Sequence, residues 1–181
     1  MPLPFDCRDG VLHVEDVALP AIAAAVGTPA YVYSTAALRT SARAFRAGLA
    51  SVPRKQLAFA VKANPNLAVL KLLAAEGYGA DIVSAGEMLH ALAAGMPAES
   101  IVFSGVGKSR RELAVALDAG IGQFNLELEE EGVVLAAMAA ARGVRASAVL
   151  RVNPDVDAGT HAKISTGRKQ NKFGVALDDA A

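Results

Sequence analysis

Three side chains able to do chemistry, Lys62, Asp81 and Arg151, each sit in or at the end of an apolar run. The run Leu57-Ala58-Phe59-Ala60-Val61 leads into Lys62 and then into the turn Ala63-Asn64-Pro65-Asn66. A strand of this composition reads as buried on both faces, as parallel strands are. The ammonium at its end is then expected to leave water and to favour its neutral, nucleophilic form. Such an amine forms a Schiff base with a carbonyl substrate or cofactor, and strand ends are where α/β barrels carry their chemistry. A lysine that snorkels to solvent is the simpler alternative.

Asp81 interrupts the next apolar strand, Ala80-Asp81-Ile82-Val83, where a carboxylate needs a partner. Lys62 is the nearest candidate, in a reactive site or in a purely structural ion pair. Arg151 lies near the end of Ala148-Val149-Leu150-Arg151-Val152-Asn153, and its guanidinium calls for Asp81, a cofactor or a substrate carboxylate. The long aperiodic stretch 153–174 follows. Its later half carries His161, Lys163, Thr166, Arg168, Lys169 and Lys172 with no acid among them. Long loops in compact domains are usually lids or binding loops, so this one suits an anionic ligand; an ordinary solvated loop is the alternative.

Other residues have plainer explanations. Gly105-Val106-Gly107-Lys108-Ser109 resembles the tail of a P-loop, but that pattern needs glycine at position 102, where Val102 stands. Ser109 with Glu112, and Ser84 with Glu87, read instead as helix-capping pairs. The acids from Glu127 to Glu131 read as a helix start that complements its dipole.

The elements that must position these residues follow one pattern. Strands are expected near 57–61, 80–83, 101–103, 122–124 and 147–152, alternating with helices capped by Asn64, Ser84, Ser109 and Asn125 and stopped near Gly77, Gly95, Gly120 and Gly143. Ahead of them come a strand at Val11–Val14, a helix from about Leu19, an extended Ala30–Tyr33, and a helix over 36–49 capped by Ser34. Alternating units of this length imply an α/β parallel sheet, doubly wound or a (β/α)8 TIM-type barrel. About five units and the start of a sixth at Phe173-Gly174-Val175 are legible, so the chain is expected to be the front of a longer barrel. Residues 1–33 form a separate N-terminal segment, and residues 34–181 the front of the barrel.

Composition excludes several classes. Eighteen basic residues balance eighteen acidic ones in 181 residues, which leaves no overall field for nucleic acid or anionic lipid. The 53% hydrophobic content is that of an ordered globular chain. A single cysteine, Cys7, agrees with a reducing compartment. The first residues lack the basic and apolar regions of a signal peptide, and no apolar run is long enough for a bilayer, so a cytoplasmic protein is expected. No metal site is expected.

Together, Phe59-Ala60-Val61-Lys62-Ala63-Asn64-Pro65-Asn66, Gly79-Ala80-Asp81-Ile82-Val83-Ser84-Ala85-Gly86-Glu87, Arg151-Val152-Asn153-Pro154 and the loop His161 to Gly174 resemble the pyridoxal-phosphate-dependent decarboxylases of the alanine-racemase-like barrel fold. The similarity is greatest to the diaminopimelate decarboxylases, whose particular mark is the loop. The resemblance implies that Lys62 carries pyridoxal 5'-phosphate as a Schiff base and that Asp81 and Arg151 line the cofactor site. His161, Lys163, Thr166 and Lys172 would belong to a loop over an amino-acid substrate. It further implies a homodimer in the full-length protein, and a β-rich domain to which residues 1–33 contribute. The family's ring-stacking histidine, phosphate-binding glycine loops and acid for the pyridine nitrogen are expected beyond residue 181. Competing readings are a decarboxylase of the same fold for arginine, ornithine or carboxynorspermidine, and a non-catalytic relative that binds the cofactor.

Overall fold

The computed structural model describes residues 4–153 and 174–176, and the chain divides into two compact units, Met1–Lys55 and Gln56–Ala181. The break expected after residue 33 falls inside the first unit.

In the first unit, β1 (Phe5–Arg8), β2 (Val11–Val14) and β3 (Val17–Ala18) form an antiparallel meander. Asp9 and Gly10 turn β1 into β2, both with positive φ (50° and 77°), which matches the twist of a tight hairpin. Helices α1 (Leu19–Val26) and α2 (Thr35–Gly48) follow. The Ser34 hydroxyl caps α2 by accepting the Ala37 N–H at 3.0 Å and donates to Glu15 at 2.7 Å. Residues 30–33 are not a strand, and Tyr31 is 92% exposed.

The second unit holds a five-stranded parallel sheet of β4 (Ala58–Ala60), β5 (Gly79–Ile82), β6 (Ile101–Phe103), β7 (Gln123–Leu126) and β8 (Ala148–Leu150). Helices α3 (Leu67–Ala75), α4 (Ala85–Ala93), α5 (Arg110–Ala119) and α6 (Glu129–Ala140) connect them and pack in sequence order. Spatial strand order equals chain order, so there is no reversal point. A doubly wound sheet has such a point; successive right-handed βα units without one leave all helices on one face, as in a (β/α) barrel. Past Arg151 the chain continues as β9 (Val152–Asn153), which pairs in parallel with β10 (Val175–Ala176).

The helix-facing side is the core. Ala80, Ile82, Ile101, Phe103 and Phe124 are at most 1% exposed and pack with buried Leu70, Met88, Leu113 and Leu135 of the helices. The opposite face differs. Register places Ala60, Asp81, Val102 and Gln123 side by side, with Asn125 beside Val149, and this face is only partly buried. The expectation that the Lys62 strand is buried on both faces is therefore corrected: β4 is half-exposed, because it has one β neighbour among the described residues and a polar face opposite its helices.

Most helix signals hold locally, and two shift. Ser109 and Glu112 form the full reciprocal capping box, and Ser84 accepts the Glu87 N–H. The cap of α3 is Asn66, which accepts the Ala68 N–H at 2.9 Å; Asn64 instead makes a turn by accepting the Asn66 N–H at 3.0 Å. Asn125 caps nothing, since β7 runs on through Leu126 and α6 begins behind Leu128 without a side-chain cap.

Candidate active site

Lys62, Asp81 and Arg151 all lie at or just past the carboxyl end of a strand, the end that carries the chemistry in (β/α) barrels. β4 passes into a 3-10 turn, Val61–Ala63, which displays Lys62 two residues beyond Ala60. Ala60 is in register with Asp81 on β5. The Lys62 side chain is exposed, and among the described residues no hydrogen bond or ion pair engages its ammonium. The expected dry amine is thus an accessible one, and the expected Lys62–Asp81 pair is not formed. The reason is local: the 3-10 turn leaves the sheet before the lysine, so no neighbouring strand covers it.

Asp81 finds its partner one strand further on. Its Oδ1 accepts the Ser104 hydroxyl at 2.5 Å, Ser104 accepts Asn125 Nδ2 at 3.0 Å, and Asn125 Oδ1 accepts Gln123 Nε2 at 2.7 Å. Ser104, Gln123 and Asn125 line a cavity of about 400 Å³ together with Glu127, Val149 and Arg151. Arg151 lines this cavity itself, while Asp81 joins the same polar face through its hydrogen bond with Ser104.

Arg151 pairs with Glu127, and not with Asp81 as one of the expected alternatives had it. Its Nη1 lies 3.2 Å from Glu127 Oε1, with the guanidinium side chain 41% exposed and the carboxylate 4%. Glu127 Oε2 also accepts the Gly174 N–H at 2.9 Å, so one buried acid joins the end of β7 to the start of β10. A backbone N–H and a cation make this burial tolerable for a charge. Glu127 is not part of the helix start expected over Glu127 to Glu131: only Glu129, Glu130 and Glu131 lie in the first turn of α6. Its signal was position, since it stands one residue past a strand as Lys62 stands two past another.

Lys108, in the stretch that resembles a P-loop tail, has a role its motif does not signal. Its side chain is 1% exposed, and the ammonium donates to Gly105 O at 2.8 Å, Asn125 O at 2.6 Å and Glu131 Oε1 at 2.9 Å. All three of its N–H groups are thereby used. Glu131 Oε2 accepts the Glu127 N–H at 2.9 Å, so the buried lysine braces the strand end that presents Glu127. His161, Lys163, Thr166 and Lys172 lie outside the described residues.

A pyridoxal cofactor needs an accessible primary amine with fixed polar groups beside it. The exposed Lys62 ammonium, the hydrogen-bonded Asp81 and the polar cavity wall fit that need.

The family model for "Pyridoxal-dependent decarboxylase, pyridoxal binding domain" matches residues 37–181. Diaminopimelate decarboxylase from Zymomonas mobilis is 53% identical over 180 residues, covering 98% of this chain and 43% of the relative. The enzyme of that name from Pseudomonas fluorescens is 54% identical over 177 residues, covering 97% and 42%. Among solved structures, diaminopimelate decarboxylase from M. jannaschii in co-complex with L-lysine superposes with a TM-score of 0.85 at 34% identity, covering 97% of this chain and 42% of that one. The chain spans about two fifths of the length of the curated relatives it matches. With a domain match across residues 37–181 and an exposed lysine displayed past a strand end, the chain belongs to the pyridoxal-dependent decarboxylases.

Proposed function

We propose that the protein of which this chain forms the pyridoxal-binding part converts meso-2,6-diaminopimelate to L-lysine and carbon dioxide, the last step of lysine biosynthesis. The observation that carries this is identity of 53% and 54% to diaminopimelate decarboxylases over nearly the whole chain. Lysine bound to the M. jannaschii relative agrees with a substrate of that size and charge. A cytoplasmic homodimer of full-length subunits belongs to the same reading.

Lys62 would hold pyridoxal phosphate through its amine, and Asp81 and Arg151 would line its pocket. When bound, the cofactor supplies an electron sink for the pair released as the carbon–carbon bond to the carboxylate breaks. The chain's own residues orient and shield. Asp81, fixed by Ser104, presents negative charge next to the strand that ends in Lys62. Arg151, steadied by Glu127, presents positive charge from the cavity wall. Lys62 Nζ, exposed past the strand end, is the group placed to carry a proton to and from substrate. The cationic residues of 161–172 would recognise the distant carboxylate of a two-ended amino acid.

The test uses the protein at its natural length. Borohydride treatment after cofactor loading should leave a mass adduct on the peptide bearing Lys62, and Lys62→Ala should abolish it. Carbon dioxide release should be selective for meso-diaminopimelate over arginine and ornithine. An unmodified Lys62 peptide, or a preference for arginine or ornithine, would overturn the reading.

A further inference from the structure

Asn125 and Gln123 have no part in the reading above beyond lining the cavity, and Ser104 enters it only as a hydrogen-bond partner of Asp81, yet their hydrogen bonds all run one way. Gln123 donates to Asn125, Asn125 donates to Ser104, and Ser104 donates to Asp81. A serine hydroxyl has one proton. Receiving an N–H from Asn125 on its lone pairs commits that proton to the Asp81 carboxylate, and donors aligned in series polarise one another in the same sense. Asp81, Ser104 and Asn125 come from three adjacent βα units, 23 and 21 residues apart in sequence, so the sheet itself fixes their spacing. The backbone adds a further constraint: Ser104 donates its N–H to Ile82 O at 2.8 Å, which ties the serine to the residue after Asp81. Asn125 is held as well, because its carbonyl accepts the buried Lys108 ammonium. Among the described residues no cation pairs with Asp81, so its orientation rests on this chain of donors.

The geometry points to Ser104 as a positioning residue: backed by Asn125 and Gln123, its hydroxyl fixes the rotamer in which Asp81 presents its carboxylate to the cofactor pocket. This role rests on Asp81 lining that pocket, as proposed above. It is distinct from catalysis, since Ser104 acts through another side chain.

The experiment is a double-mutant cycle read by pyridoxal phosphate binding, titrated spectroscopically into natural-length protein stripped of cofactor. Ser104→Ala should weaken binding about tenfold, the order expected for one hydrogen bond to a charged group. Ser104→Thr, which keeps the hydroxyl, should restore it. Asp81→Asn should also weaken binding, and the double variant Ser104→Ala with Asp81→Asn should bind no more weakly than Asp81→Asn alone. Effects that multiply in the double variant, or no rescue by threonine, would make Ser104 merely structural and overturn the inference. If Asp81→Asn weakens binding and Ser104→Ala does not, the role of Ser104 alone falls. If Asp81→Asn leaves affinity unchanged, the assignment of Asp81 to the pocket falls and takes this role with it.

Discussion

Replacing Lys108 by methionine should destabilise the protein far more than loss of a typical lysine. The side chain keeps most of its stem volume and loses the ammonium, and with it the cation–π contact of Nζ over the Phe103 ring, 5.8 Å from the centroid. Also lost are three hydrogen bonds, to Gly105 O, Asn125 O and Glu131 Oε1. The Glu131 side chain is 12% exposed, so its charge is left with little water to replace its partner. Removing one member of a buried ion pair costs about 3–5 kcal/mol, against about 0.5 kcal/mol or less for most surface substitutions. Domains are stable by about 5–15 kcal/mol, so a loss of this order moves the urea midpoint by a molar or more at a slope of about 1–3 kcal/mol per molar. The companion variant Lys108→Met with Glu131→Gln removes the orphaned charge and keeps an acceptor for the Glu127 N–H. It should recover about 1 kcal/mol or more of the loss. Urea unfolding followed by circular dichroism on the natural-length protein checks both. A single variant within about 1 kcal/mol of the parent, or a double variant no better than the single, would refute the view that Lys108 is a buried structural cation.

Three further outcomes follow from the helix starts and the sheet. Glu112 accepts the Ser109 and Ala85 N–H groups, so it serves the starts of both α5 and α4. The Ser109 backbone bond, then that from Ala85, holds its carboxyl below the ordinary value of 4.5. A depressed folded value means stability that is fully present above 4.5 and lost as pH falls through the lower folded value; Glu112→Gln should flatten that part of the acid limb of the melting temperature. Ser109→Ala should cost about 1 kcal/mol in denaturant unfolding, the usual worth of an N-cap. Gly79→Ala should lower the melting temperature, because the added Cβ would collide with the Ser100 carbonyl oxygen, a backbone atom that has little room to yield. An unchanged melting temperature would show that this approach relaxes freely.

The positions of the parallel strands were legible because apolar runs flanked by caps and glycines are local signals. The runs expected near 57–61, 80–83 and 101–103 became 58–60, 79–82 and 101–103. Lys62, Asp81 and Arg151 were legible as ionisable groups in apolar company. Their partners were not. Which side chain meets Asp81 is decided by strand register, which sets Ser104 on its flank and leaves Lys62 to leave the sheet in a 3-10 turn. Arg151 likewise meets Glu127 because β7 and β8 align Leu126 with Leu150. Asn125 looked like a helix cap because a polar residue before an acidic run fits that pattern, while its place on the inner face depended on a strand one residue longer than expected.

The short 3-10 turn Ala98–Ser100 fits between two glycines, Gly79 at the start of β5 and Gly122 just before β7; a Cβ on either would strike its backbone. The amino ends of alternate strands are thus locked together by main chain, while the carboxyl ends are joined through exchangeable side chains such as Ser104, Asn125 and Glu127. Tolerance to substitution should be graded along the strand axis. Changes near Gly79, Ser100 and Gly122 should be read out as protein yield, and changes near Ser104 and Arg151 as altered ligand preference in protein that still accumulates. New specificities would then arise at one rim of this sheet without disturbing the other.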